Sequence, residues 1–573
     1  MVSLRPIVGY GGGMFQLRPY QEEAIEAVLE AEDAGQRRVV VVLPTGAGKT
    51  VVFSSLIRIL RRPTLVLAHR SELLEQAVSK ICRVLGEGPV VALEQAGQRA
   101  PADAAVVVAS LRSLHEERLK RLMSDHRFGL VIYDECHHAP ADDNQRILRQ
   151  LGCFDRGWEG LLVGFTATTG RGDRRGLEEV FDAIVYHQPL PTMIREGYLV
   201  PLRGVRVTTE ADLSSITAGA GDFAVDELQE VVDIRGRNAL VARTIQELCR
   251  DRITLVFCVT VQHARNLARA LSNIGVPTGL IHGELPAPER EEVLEGLRSG
   301  RLRAVTNVGV LTEGFDEPSI SCVAMARPTR SDSLYAQCVG RGTRLHPGKQ
   351  DCLVIDFVDL SDLSLITLPS LFGMPHQLDL FGEDVLEAEE RLGRMFEQFP
   401  TFELPPDAIT LSEIEERAQH FDPLTLDVDP LIRAISGHAW TSLGKAGLVL
   451  HYLKRPGKLG EYLVLDSGRP GKRRYQVYAD ADEVAHFAKV EQAVEAVDYE
   501  VGERGPAAAE SALPEAAWRG LPVSEAQQAR LAALQPPGRA RTKGDAVQQL
   551  AYAKYARRHR RAARRGGSPR RGR

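Results

Sequence analysis

From Val39 the chain reads Val39-Val40-Val41-Val42-Leu43-Pro44-Thr45-Gly46-Ala47-Gly48-Lys49-Thr50. The apolar run at its start is the pattern of a strand buried on both faces. The strand runs into Gly46-Ala47-Gly48-Lys49-Thr50 and then into a helical pattern. A strand that turns this way into a helix aims backbone N–H groups and the positive end of the helix dipole at one point, which suits phosphate oxygens. Pro44, Thr45, Gly46, Ala47 and Gly48 are therefore expected to cradle a phosphate chain, with Lys49 reaching its outer phosphates and Thr50 ligating a magnesium ion. The full phosphate-loop pattern wants a small residue where Leu43 stands, so the match begins at Pro44, with the cradle and Lys49 intact.

Some eighty residues on, the apolar run Leu130 to Tyr133 ends in Asp134-Glu135-Cys136-His137. At the end of a second strand, Asp134 is placed to hold the same magnesium ion, and Glu135 to orient or activate an attacking water. Taken singly, each motif is compatible with an ordinary polar turn. In this order and strand context they predict hydrolysis of a nucleoside triphosphate.

At 573 residues, 44% hydrophobic and 26% charged, the composition fits a chain with more than one globular core. No apolar run approaches the roughly 18 residues needed to cross a bilayer, and Met1 to Gly13 lack the layout of a secretory signal. The expected location is intracellular: cytoplasmic, and nucleoid-associated in a bacterium. Met14 is an alternative start, because the patterned sequence opens at Phe15. All eight cysteines fall between Cys82 and Cys352 with no Cys-x-x-Cys pair, which suggests neither a disulfide framework nor a zinc site. The net charge of -5 is unevenly spread: ten basic and no acidic residues lie between Ala546 and Arg573, leaving about -15 elsewhere. Such an end suits a polyanion, although eleven lysines against sixty arginines point equally to a coding bias.

The order of patterns divides the chain. Residues 1–13 are expected to be an unstructured N-terminus. Residues 14–200 alternate apolar runs (Val39 to Leu43, Thr64 to Leu67, Ala105 to Ala109, Leu130 to Tyr133, Leu161 to Phe165) with amphipathic stretches, the signature of a parallel sheet covered by helices. Residues 201–365 repeat it after a polar interval, with runs at Thr254 to Val259, Thr278 to Ile281, Ala304 to Asn307, Cys322 to Ala326 and Leu353 to Phe357. Residues 366–434 are expected to form a helical connector and 435–500 a small glycine-punctuated antiparallel sheet. The segment 501–516 has a linker composition, 517–556 a helical pattern, and 557–573 the composition of a disordered basic tail.

Further short motifs occur in a fixed order. They are Leu17-Arg18-Pro19-Tyr20-Gln21, Ala68-His69-Arg70, Ala109-Ser110-Leu111, Phe165-Thr166-Ala167-Thr168, Gly309 to Asp316, and Gln337-Cys338-Val339-Gly340-Arg341-Gly342-Thr343-Arg344. The ordered set, covering Leu17 to about Lys349, resembles the superfamily 2 helicases. The details Asp-Glu-Cys-His, Thr-Ala-Thr and Gly-Arg-Gly-Thr-Arg resemble the branch with XPB-type and RadD-like translocases, restriction-enzyme motors and the mitochondrial branched-DNA helicase.

That resemblance implies an α/β architecture of two tandem RecA-like domains with ATP bound between them, followed by an accessory region of helices and a small antiparallel sheet. It places Arg18 and Gln21 at the adenine, where the Gln21 amide can meet both a donor and an acceptor edge. Arg341 and Arg344 become cations offered across the cleft to the outermost phosphate. His137 is implied to hydrogen-bond Gln337 across the same cleft, Thr166 and Thr168 to couple hydrolysis to strand binding, and Gly314 and Asp316 to contact nucleotide. Nucleic acid, held by its backbone, would meet Arg70, Ser110, Cys258, His282 and Thr306. Trp440, Trp518, Tyr475 and Tyr478, near Arg473 and Arg474, are candidates for stacking on bases or for filling a core.

The function expected is an ATP- and magnesium-dependent helicase or translocase acting on single-stranded, duplex or branched DNA. RNA is also a possible partner, since the motor motifs contact mainly backbone. The alternatives are an RNA helicase, the motor subunit of a restriction complex, and an inactive nucleic-acid-binding scaffold; intact Lys49, Asp134, Glu135, Arg341 and Arg344 argue against the last.

Overall fold

The computed structural model describes residues 16–566 apart from 69–73, 87, 96, 168–175, 214–215, 217–221, 312–316, 361–364, 399–409, 421–427, 445, 456, 468–470, 472, 481, 535–537 and 539. Arg70, Thr168, Gly314 and Asp316 lie outside the described residues, as does the expected N-terminal segment 1–13.

Helix α1 (Pro19–Asp33) starts with proline at its first turn, where the missing N–H costs nothing, and buries Tyr20, Ala24, Ile25 and Val28 along one stripe. It leads into β1 (Arg38–Val42), and the phosphate loop then delivers the chain to α2 (Lys49–Leu60). The strands β2 (Thr64–Ala68), β3 (Val91–Glu94), β4 (Val106–Ser110), β5 (Leu130–Asp134), β6 (Leu161–Thr166) and β7 (Ala183–His187) complete a parallel sheet in the order β3-β4-β2-β5-β6-β1-β7. Because β5, β6 and β1 are neighbours, their C-terminal ends form one ledge. Asp134 is paired in register with Phe165, and Val42 with Thr166. Ligands of such sheets bind at this edge.

A second parallel sheet follows: β8 (Leu202–Asp212), helix α3 (Arg235–Leu248), β9 (Thr254–Phe257), β10 (Thr278–Ile281), β11 (Ala304–Asn307), β12 (Cys322–Met325), helix α4 (Asp332–Val339) and β13 (Cys352–Leu360). Its order is β10-β11-β9-β12-β13-β8. Strand β8 falls in the interval whose pattern looked polar. It is the last strand of the sheet, paired in parallel with β13, and near its start it meets residues 382–384 by an antiparallel bridge, with the Gly382 N–H donating to the Gly204 carbonyl at 2.7 Å. Its side chains alternate between buried and exposed over much of its length, so it lacks the continuous apolar run of its neighbours. Arg237 of α3 is buried against Asp359 of β13, with Nε 2.7 Å from Oδ1 and Nη2 3.0 Å from Oδ2, and ties helix to sheet.

The chain divides into two compact units, residues 1–388 and 389–573. Within the second, β14 (Trp440–Ser442), β15 (Gly447–Arg455), β16 (Lys458–Asp466), β17 (Tyr475–Ala479) and β18 (Asp482–Phe487) form an antiparallel meander. The period-2 alternation of β15 sends Leu448, Leu450 and Tyr452 to one face, against α5 (Val490–Glu503) and α6 (Pro506–Ala512). Val449 and Leu463 face the opposite way, toward Ala551, Tyr552 and Tyr555 of α7 (Lys543–Gly566).

Two expectations change here. The segment 501–516 contains helix α6: Pro506 starts it, its alanines are strong helix formers, and Ala508 and Ala512 are buried under the sheet. Helix α7 also continues through residues 557–566 of the expected tail, a stretch of arginine and alanine with high helix propensity up to Gly566.

Candidate functional site

The phosphate loop has the geometry its sequence implies. Gly46 and Gly48 have φ of +90° and +77°, values that strain any residue with a Cβ. Gly48 is the N-cap of α2 and no side chain caps that helix. Leu43, the departure from the pattern, is fully buried and donates its N–H to the Thr166 carbonyl at 3.0 Å, so its bulk enters the core and not the cradle. The buried Thr45 hydroxyl has no hydrogen-bond partner among the described residues. An uncapped helix end, two left-handed glycines and this orphaned hydroxyl fit a bound phosphate chain.

A chain of side chains runs from this loop across the ledge. Lys49 Nζ donates to Glu135 Oε1 at 2.8 Å, His137 Nδ1 lies 3.4 Å from Glu135 Oε2, and the same nitrogen is 3.1 Å from Thr166 Oγ1. Burial would push the Glu135 carboxyl up, but the Lys49 ammonium and the His137 ring outweigh it and hold the group well below the usual carboxylate range. Glu135 also has φ +51°, a left-handed conformation uncommon for a non-glycine residue, and its N–H is 3.1 Å from Asp134 Oδ1. Its carboxylate is thereby turned back over the loop. The bond implied between His137 and Gln337 is replaced by the one to Thr166, while Gln337 sits buried on α4.

Gln21 lies against the phosphate loop. Its Oε1 accepts the Arg18 N–H at 3.0 Å, and its Nε2 donates to the Ala47 carbonyl at 3.2 Å. Tyr20 donates to the same carbonyl at 2.8 Å and meets the ring of Tyr198 edge-on, with centroids 4.7 Å apart. Arg18 Nη1 donates to the Tyr198 carbonyl at 3.4 Å. The Gln21 amide thus clasps the phosphate loop.

The second sheet delivers its arginine-bearing turn directly onto the first. The turn after α4 presses Gly340 against Thr45 so closely that a Cβ at 340 would overlap the Thr45 side chain. Thr343 Oγ1 donates to the Gly340 carbonyl at 3.0 Å and lies 3.4 Å from the Thr45 carbonyl, and the Val200 N–H donates to the Thr343 carbonyl at 2.8 Å. A Cβ on Gly46 would lie 3.2 Å from Arg344 Cγ and 3.3 Å from both Thr343 Oγ1 and Leu199 Cδ2. Arg341 is buried beside them. Thr343 and Leu199 had no assigned part in the sequence. Thr343 stood inside a motif read for its arginines, and an apolar residue such as Leu199 gives no chemical signal.

The expected strand contacts divide. Ser110 closes β4 with a buried hydroxyl that has no partner among the described residues, and the buried His282 has Nδ1 in the same state. Thr306 instead turns into the core, where Oγ1 donates to the Ala264 carbonyl at 3.1 Å. Cys258 is buried, and burial pushes its thiol up. In the second unit, Trp440 and Trp518 are core residues: their indole N–H groups donate to Ser436 Oγ at 3.0 Å and the Ser511 carbonyl at 2.8 Å. Tyr475 is partly exposed, with the Arg474 guanidinium 5.0 Å from its ring centre.

A phosphate loop on the ledge of one parallel sheet, packed against the arginine-bearing turn of a second, defines the two-domain motor of the superfamily 2 helicases. Residues 14–171 match the family described as type III restriction enzyme, res subunit, and residues 238–346 match the helicase conserved C-terminal domain. The chain is 34% identical over 451 residues to the Schizosaccharomyces pombe protein named as mitochondrial ATP-dependent helicase irc3, covering 77% of this chain and 73% of that one. It is 32% identical over 373 residues to the Saccharomyces cerevisiae protein named as ATP-dependent helicase IRC3, covering 62% and 54% respectively, so it spans about half of that relative. An Escherichia coli type I restriction endonuclease subunit, EcoAI, is 25% identical, covering 66% of this chain and 51% of its own.

The chain belongs to the Irc3 family of ATP-dependent helicases. No helix among the described residues is long and apolar enough to cross a membrane.

Proposed function

We propose that the chain is an ATP-driven DNA translocase that remodels duplex or branched DNA. The observation that carries this reading is the packing of Gly340, Thr343 and Arg344 from the second sheet onto Thr45 and Gly46 of the phosphate loop. Nucleotide held there touches both sheets, so its hydrolysis alters their contact and can step them along a strand. Arg341 and Arg344 supply cations to the outer phosphates. Thr50 and Asp134 are the residues that would hold a magnesium ion, whose charge would offset that of the phosphates.

Glu135 positions the attacking water and accepts its proton. While Lys49 is paired with it, Glu135 is a weak base; once Lys49 turns to phosphate, the carboxylate loses its strongest attraction and becomes more basic. Thr166, through His137, carries the state of this carboxylate to the end of β6. Ser110 and His282 hold strand phosphates.

Steady-state ATP hydrolysis tests the proposal, measured alone and with single-stranded, duplex and forked DNA and with RNA. Greatest stimulation by forked or duplex DNA is expected; stimulation by RNA alone would overturn the substrate. A second reading, the motor subunit of a restriction assembly, draws on the match at residues 14–171 and predicts DNA cleavage once a nuclease subunit is supplied.

A further inference from the structure

The second sheet has an opposite edge, formed by the N-terminal ends of its strands, that the motor chemistry leaves unused. Three cysteines gather there. Cys249 follows α3, and its Sγ lies 3.3 Å from the Sγ of Cys322, the first residue of β12. Cys352 is the first residue of the adjacent strand β13, one position out of register with Cys322. All three are buried free thiols.

A pocket of about 640 Å³ opens at this edge. Residues flanking each cysteine line it: Leu248 and Arg250 beside Cys249, Ser321 beside Cys322 and Asp351 beside Cys352. A small oxidant therefore has a route to within one residue of the thiols. The hydrogen-bonding contact with the Cys322 sulfur holds the Cys249 thiol below its ordinary value against the effect of burial, and Arg252 and Arg303 add to it. Cys249 is thus the better nucleophile of the pair.

We propose that Cys249 and Cys322 are a redox site, converted by hydrogen peroxide into a disulfide that slows ATP turnover. The Cys249 thiolate attacks one peroxide oxygen, and with a proton from solvent it yields a sulfenic acid and one water. The Cys322 sulfur then attacks the Cys249 sulfur and displaces the hydroxyl, which leaves as a second water with the Cys322 proton. Two electrons pass from the sulfurs to the peroxide, and a thiol reductant reverses the change. The sulfurs must close from 3.3 Å to about 2.05 Å, a movement of about 1.2 Å at the start of β12.

The route to the motor is short. Gly342, between Arg341 and Thr343, lies so close to Cys352 Sγ and Val323 that it has no room for a Cβ, and Lys349 of the pocket wall donates to the Arg344 carbonyl at 2.9 Å. Displacing β12 beside Cys352 therefore displaces the arginine-bearing turn. This last step rests on the function proposed above; the disulfide itself does not.

The test uses the full-length protein treated with hydrogen peroxide, alkylated under denaturing conditions and digested without reductant. A peptide linking Cys249 to Cys322 is expected, with the count of titratable thiols falling from eight to six and recovering with dithiothreitol. Cys322→Ala should abolish the link and Cys82→Ser should not. Recovery of both cysteines as alkylated thiols would overturn the redox site. ATP hydrolysis should fall at least threefold on oxidation and return on reduction; a mapped disulfide with unchanged turnover would overturn the inhibition. Absence of hydrolysis in the reduced protein would count against the ATPase reading, while peptide mapping still decides the bond.

Discussion

Gly340 and Thr45 come from different sheets, 295 positions apart in sequence, yet a single added carbon on Gly340 would overlap the Thr45 side chain. The Ala336 carbonyl, 3.0 Å from the same position, blocks retreat in the other direction. Gly340→Ala should therefore hold the two sheets apart. Since misplacement by about 1 Å can cost on the order of 10²-fold in rate, kcat for ATP hydrolysis is expected to fall by that order while each sheet's own stability is little changed. Parallel kcat and thermal-melting measurements on the variant check this; a normal kcat would show that the contact is not needed for turnover.

Lys49 and Glu135 form an ion pair at 2.8 Å. Glu135→Gln retains shape and hydrogen bonding but removes the base, so single-turnover hydrolysis should drop about 10²- to 10⁴-fold, with nucleotide affinity kept or tightened. Rapid-quench kinetics beside a nucleotide-binding titration separates the two effects. Hydrolysis within tenfold of the parent would remove Glu135 from its role.

What could be read from the residues follows from where the chemistry is local. The phosphate loop, Asp134 and Glu135 lie at strand ends that any buried valine-rich run announces, and both parallel sheets follow from those runs. Strand β8 was missed because an edge strand need not be apolar on both faces, and α6 because alanine-rich helices share the composition of linkers. His137 and Gln337 could not be paired correctly from sequence. Thr166 reaches His137 through the alignment of β6 with β5, and that register is a property of the assembled sheet. The same holds for Thr306, whose hydroxyl is a core donor to Ala264 although its motif position suggests the surface.

Thr166→Val tests the relay without disturbing volume. It removes the hydroxyl that His137 contacts, while the Thr166 carbonyl still accepts the Leu43 N–H. Basal hydrolysis is expected to stay within about threefold, since the lost hydrogen bond to His137 is worth about 1 kcal/mol; the stimulation by DNA should largely disappear. An ATPase titration with duplex DNA measures both, and full stimulation in the variant would show that coupling runs elsewhere.

Acid should loosen the second unit through Glu461 of β16. Burial pushes this carboxyl up, but His451, Lys554 and Tyr555 overcome it and hold it at about 2. Lys554 Nζ lies 2.7 Å away and the Tyr555 hydroxyl is hydrogen-bonded to it, so the carboxylate pins α7 to the sheet. A carboxyl depressed in the folded state binds its proton more weakly than in the unfolded chain. Its stabilisation is complete above the ordinary glutamate range and is lost as pH falls toward 2, with about 2 kcal/mol at stake after allowance for partial exposure. His451 contributes in the same direction, because burial depresses its ring and acid must charge it in the core. Urea unfolding followed by tryptophan fluorescence suits the question, since Trp440 and Trp518 are both in this unit. Between pH 6 and pH 3 the parent protein should lose about 1 kcal/mol more than Glu461→Gln, which cannot titrate. Equal losses in the two proteins would mean that the carboxylate does not pin α7 to the sheet.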